Sequence, residues 1–237
     1  MPDSIDNGIT DAVAALNDAL QHEDRDVYVS ANRLRRGGMS AANHVAPDAV
    51  ADRARRLIDR SDPGPDGCRQ VARIFDYVRE EIDYEHTGGG FNYPPDELLD
   101  HGQGNCVDQS ALLISLLESL GFTTRLYSIK REGTGHMLAG VWFDTTDQSQ
   151  IWDALADYYT GGVGGMEFSF ATQTPVSENV RYTIVDPEHS KYPGDISALA
   201  DDRYVTRLSS GWEFTNLKHT VKPGNGESAS EELVQQQ

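Results

Sequence analysis

An α+β domain is the fold class this sequence predicts, and three patterns predict it. Apolar residues recur at helical spacing through the first half of the chain, between Ile9 and Leu120. Beyond Gly121 the spacing changes to strand alternation, in residues 123–130 and again in 136–143. Between the two regimes, a polar loop containing Gly102 and Gly104 runs straight into an apolar helix. Helices first and hairpin-linked strands after them describe a helix bundle packed on an antiparallel sheet.

The elements follow in order. Ile9, Val13, Leu16 and Leu20 make a modest amphipathic helix over 9–20, and 22–46 is charged and irregular around Tyr28 and Val29. Pro47, at a first helical position, opens a helix to about residue 60. Residues 61–67 are a turn by composition. Val71, Ile74, Phe75, Val78 and Ile82 mark a third helix over 68–82. A loop covers 84–105, with a short helix at 95–99 and a hinge at Gly88-Gly89-Gly90. Those glycines lack the GxxxxGK[ST] setting of a phosphate loop.

The next helix has the clearest boundaries. Asn105 is a good N-cap and Asp108 can close a capping box. Gly121 suits the position after the helix, with Phe122 as its apolar contact. Strands are expected at 123–130 and 136–143 and a third, short one at 151–155, separated by turns at 131–135 and 144–147. Residues 158–165 form a Gly-rich loop, and 180–185 a strand that extends the sheet or covers a cleft. Trp212 and Phe214 anchor the last ordered piece, before a polar, disordered tail. The domain plan is an N-terminal helical extension (1–46), a core (47–160), a C-terminal extension packed on it (161–221) and the tail (222–237).

Charge removes whole classes of function. There are 38 acids against 20 bases, a net charge of −18, so DNA, RNA and anionic membrane surfaces are poor partners. Acids spread along the whole chain with only four lysines suit a halophilic cytosol. Two cysteines make no disulfide framework, and no CxxC or Cys/His spacing spells a zinc site. The first residues lack the basic and apolar regions of a signal peptide, and no apolar run reaches about 18 residues. A cytoplasmic protein is the expectation.

One cysteine is placed for chemistry. Cys106 falls on the first turn of its helix, where unpaired amides and the helix dipole favour a thiolate. Gly102 and Gly104 permit close backbone approach to a ligand. Asp108 would oppose thiolate formation unless it points away. Cys68 also starts a helix, but no glycine loop precedes it, so it reads as a core or surface residue. His136 heads one strand and Asp153 lies in the next, so the two can form a cross-strand pair that holds the imidazole toward the thiol. A nucleophile, a base and a group that orients the base are what covalent catalysis needs.

These residues carry a resemblance. GQGNCVDQSALLISLLESLGF, then GHMLAGVWF, then IWDALADYY resemble the transglutaminase-like (papain-like) superfamily. In that family a Gly-x-Cys opens a helix ending in a leucine-rich run and LG, a strand then begins with His, and a further strand bears Asp. The resemblance covers roughly 48–160 and implies a papain-like core with Cys106 as nucleophile, His136 as general base and Asp153 as orienting acid. The family acid is often followed by Pro-Thr or Thr, whereas Asp153 is followed by Ala154-Leu155, and Leu138 stands where an aromatic residue is frequent. Gln103 and Tyr93 are candidates for the oxyanion or substrate contacts. The implied activity is acyl transfer on a peptide or protein substrate, with hydrolysis favoured over cross-linking and no metal or cofactor required. The alternative is a catalytically silent fold serving as a binding scaffold.

Overall fold

The computed structural model describes residues 44–59, 62–87, 91–131, 134–145, 147–162, 167–173, 181–195, 214–220 and 232–234. The helix expected at 9–20, the Gly88-Gly89-Gly90 hinge and Trp212 lie outside them. Helix α1 (Pro47–Ile58) starts on its proline and buries Val50 and Ala54. A short 3-10 turn leads into α2 (Cys68–Glu81), which buries Cys68, Val71, Ala72, Ile74, Phe75 and Val78. The two-residue strand β1 (Asp83–Tyr84) follows, then α3 (Pro95–His101), which is longer than the helix read at 95–99. β1 pairs in parallel with β2 (Gln103–Gly104), immediately before α4 (Cys106–Ser119).

α4 is the centre of the molecule. Every residue from Cys106 to Leu117 is buried, so the helix is enclosed on all sides and does not present one stripe. It packs against α1, α2 and α3 on one side and against the sheet on the other. Buried polar residues along it need partners, and the partners tie it to its neighbours. Gln109 Nε2 donates to the Ile82 carbonyl at 2.8 Å, at the end of α2. Ser115 Oγ accepts from Ala46 N–H at 2.9 Å, just ahead of α1, and donates to the Ala111 carbonyl at 2.7 Å.

The sheet has six strands in the order β3 (Thr123–Arg131), β4 (Thr134–Trp142), β6 (Tyr182–Val185), β5 (Glu167–Gln173), β7 (Phe214–Thr220) and β8 (Glu232–Val234). All neighbours pair antiparallel. The mixed helix and sheet architecture is the α+β class that the sequence predicts. Of the two readings of 180–185, sheet extension is the one found: β6 lies against β4, with Ala139 opposite Val185. The boundary expected between 160 and 161 therefore falls inside a single sheet. β8 also lies within the stretch expected to be a disordered tail.

The strand expected at 151–155 is a helix, α5 (Gln148–Thr160). Ile151, Trp152, Leu155 and Ala156 are buried, which is helical spacing, and Trp152 stacks on Phe170 of β5 at 5.6 Å. Asp147, read as a turn residue, is the N-cap and accepts from Ser149 N–H at 3.1 Å. Gly161 ends the helix in the left-handed conformation at φ 62°. Ile151 and Trp152, residues of high β-propensity, stand inside a 13-residue helix that has both of its caps.

Candidate active site

Cys106 sits where its capping motif puts it. Asn105 Oδ1 accepts from Val107 N–H at 2.8 Å and Asp108 N–H at 3.2 Å, and Asp108 Oδ2 accepts from Asn105 N–H at 3.0 Å. The same carboxylate accepts Asn92 N–H and Asn92 Nδ2, both at 2.8 Å. Thr87 Oγ1 accepts from Asn92 Nδ2 and Asn105 Nδ2 at 2.8 and 2.9 Å. Asp108 thus ties Asn92 to the start of α4, with Thr87 bonded to both asparagines, and its charge is met by local N–H donors.

The glycines before Cys106 serve the chain's own packing. Gly102 ends α3 in the left-handed conformation at φ 72°. A Cβ on Gly104 would lie 2.8 Å from Asp108 Cβ and 2.8 Å from Leu98 Cδ1, so only glycine lets β2 lie against α4.

His136 lies in β4, opposite Ile129 of β3, on a strand that starts two residues earlier than the sequence suggested. Ser110, one helical turn after Cys106, donates to the Met137 carbonyl at 3.1 Å. That bond fixes the helix bearing the thiol against the strand bearing the imidazole. Cys106, His136 and Glu188 each bring one side-chain ligand atom to within 4.8 Å of the others.

The acid on His136 is Asp186, not Asp153. Nε2 of His136 lies 2.8 Å from Asp186 Oδ2, and both groups are buried. Asp153 is half-buried on α5, so it forms no cross-strand pair. Asp186 follows β6 directly, and β6 is hydrogen-bonded to β4. Its other oxygen accepts Glu188 N–H at 3.1 Å, which fixes the carboxylate plane. A sequence signal existed: Asp186-Pro187 supplies a proline directly after the acid, as the family acid often has.

Electrostatics bind the pair together. Burial pulls the His136 pKa down, but hydrogen bonds to Asp186 and Cys106 and their charges outweigh it and lift it to about 10. Burial likewise pushes Asp186 up, and His136 and His189 overcome it to hold the acid at about 2. With Nε2 given to Asp186, Nδ1 is the nitrogen left for the thiol.

Three more side chains crowd this centre, and sequence reasoning missed each. Glu188 Oε2 lies 3.3 Å from His136 Nδ1. His189 Nδ1 lies 3.4 Å from Asp186 Oδ2, and its ring meets that of His136 edge-on at 4.7 Å. Tyr84 of β1 is hydrogen-bonded to Cys106, and burial with the nearby Glu188 and Cys106 charges raises its pKa to about 12, so it remains a phenol. No spacing rule links residues this far apart in sequence.

The remaining expectations fall elsewhere. Gln103 is exposed on β2, paired with Asp83. Tyr93 packs its ring on His101 at 4.1 Å. Neither touches Cys106 or His136 among the described contacts. Cys68 is fully buried, and burial raises its thiol to about 12, as suits a core residue.

Residues 52–163 match the family model of the transglutaminase-like superfamily. No curated protein matches the chain. A solved structure from Cytophaga hutchinsonii, provisionally described as a cysteine protease, aligns at 14% identity over 43% of this chain and 35% of that one, with a TM-score of 0.38. This chain thus spans about a third of that protein's length. The matched segment runs from α1 to the end of α5 and contains Cys106 and His136, but it stops short of Asp186. The likeness to the transglutaminase-like superfamily thus covers residues 52–163, just under half of the chain.

Proposed function

We propose that this chain is a thiol acyltransferase acting on peptide or amide bonds, with water as the favoured acceptor. The observation that carries the reading is the imidazole of His136, set between the Cys106 thiol and a buried Asp186 carboxylate at 2.8 Å. Asp186 orients the ring and stabilises its charged form, so that His136 can hold the proton that Cys106 gives up as it attacks.

In the first step Cys106 Sγ attacks the substrate carbonyl carbon and the carbonyl electrons move onto oxygen. The Cys106 N–H, one of the first amides of α4, is one donor for that oxyanion. The Tyr84 phenol, beside the thiol, is a second. As the intermediate collapses, the C–N bond breaks and His136 Nδ1 gives its proton to the departing amine, leaving a thioester. His136 then takes a proton from water, the hydroxyl adds to the thioester carbon, and the C–S bond breaks to release the acid.

The test is an acyl-enzyme mass measurement with an activated amide or ester, beside product analysis with and without a primary amine. The expected result is an adduct on Cys106 that is absent in Cys106→Ser, with turnover reduced about 10³-fold or more in His136→Ala. Hydrolysis should dominate the products until the amine is in large excess. No adduct on Cys106 across substrates of this class would overturn the reading.

A further inference from the structure

We propose that Cys106, His136 and Glu188 form a three-ligand site for a thiophilic divalent cation, Zn²⁺ above all. The ligand atoms are one sulfur, one imidazole nitrogen and one carboxylate oxygen, and all lie within 4.8 Å of one another. That donor set suits zinc, which takes Cys, His and Asp/Glu ligands at about 2.0–2.3 Å. His136 Nδ1 and Glu188 Oε2 are already 3.3 Å apart, close to the edge of a tetrahedron with bonds of about 2 Å. The sulfur needs only to close in.

The surroundings fit the same chemistry. Metal-binding histidines almost always give their other ring nitrogen to a carboxylate, which fixes the tautomer and aims the lone pair. Asp186 does this for Nε2 at 2.8 Å, and its second oxygen is pinned by Glu188 N–H at 3.1 Å, in the very turn that delivers the third ligand. Without a cation, Glu188 places a second carboxylate against a histidine that Asp186 already satisfies, and next to a thiol. A cation between sulfur and carboxylate resolves that crowding. Three protein ligands leave a fourth position for water, and Tyr84, 38% exposed beside Cys106, marks the solvent side.

A second group, His136, Asp186 and His189, shares the imidazole but offers no sulfur. Its use would remove Asp186 from its orienting role, so the sulfur-bearing set is the one assigned. Binding displaces to solvent the proton held between Cys106 Sγ and His136 Nδ1 and forms the Zn–S, Zn–N and Zn–O bonds. With sulfur and nitrogen both occupied, acyl transfer stops until a chelator removes the ion. This last consequence rests on the proposed function, whereas the binding does not.

The experiment is Co²⁺ and Zn²⁺ titration of chelator-treated full-length protein. Cobalt is read by absorbance, and zinc by competition with a chromophoric chelator. Expected are one ion per chain, a thiolate-to-cobalt charge-transfer band that vanishes in Cys106→Ser, and a zinc Kd at least tenfold weaker in Glu188→Gln. Circular dichroism of both variants establishes that they fold. A cobalt complex without the thiolate band would assign the ion to the other group, and a Kd within threefold of wild type in Glu188→Gln would remove the third ligand. Either result overturns the site. Zinc binding in a protein with no acyl-enzyme would sink the catalytic reading and leave this one standing. An active protein without the cobalt band would do the reverse.

Discussion

Asp186 has each oxygen engaged, Oδ2 by His136 and Oδ1 by the Glu188 amide, and its ionisation is coupled to folding. Its pKa sits near 2, below the ordinary 3.8, so its contribution to stability is complete above about 3.8 and fades as pH falls toward 2. His136 is raised from 6.5 to about 10, so its contribution is complete below 6.5 and fades as pH climbs toward 10. The stability gap between wild type and Asp186→Asn should therefore be widest between about pH 3.8 and 6.5 and shrink steadily toward pH 10. Thermal melts across that range measure it. Cys106 was legible because its capping box is local, Asn105 and Asp108 being three residues apart. The acid was not, because 50 residues separate it from His136 and only the sheet order brings them together.

α4 owes its position to polar bonds as much as to its apolar surface. Asp108 closes the capping box and accepts both the main-chain and side-chain N–H of Asn92. Replacing it by alanine opens the capping box and strands the Asn105 and Asn92 donors, which should cost about 2–4 kcal/mol in denaturant unfolding. A loss under about 0.5 kcal/mol would mean that these bonds do not hold the start of α4. α5 teaches the converse lesson. Ile151-Trp152-Asp153-Ala154-Leu155 is short and apolar enough to pass for a strand, yet the decisive signals lay outside it, in Asp147 and Gly161. Helices were legible where cap and stripe were read together, and one was lost where the stripe was cut short.

For the whole molecule, helices first and sheet second was legible from the change in periodicity at Gly121, because that change depends only on neighbouring residues. Strand order was not, since β6 enters between β4 and β5 from beyond a segment read as the end of the core. The sheet does not respect a boundary at 160. A fragment of residues 47–160 retains Cys106 and His136 but lacks β6 and Asp186, so β4 keeps an unpaired edge. Such a fragment should give no cooperative unfolding transition and no Cys106 acylation. The same fragment extended through 220 should recover both. Cooperative folding of 47–160 alone would restore the shorter core.

The central claim is that Asp186 holds His136 for Cys106, and the most direct measurement is the rate of Cys106 alkylation by iodoacetamide across pH. Wild type is compared with His136→Ala, Asp186→Asn and Asp153→Asn, and labelling is assigned to Cys106 by peptide mass. Rapid labelling at pH 6, slowed at least tenfold in the first two variants and within twofold of wild type in Asp153→Asn, is the result predicted. Labelling unaffected by His136→Ala and Asp186→Asn would contradict the account and leave a transglutaminase-like scaffold with an ordinary cysteine.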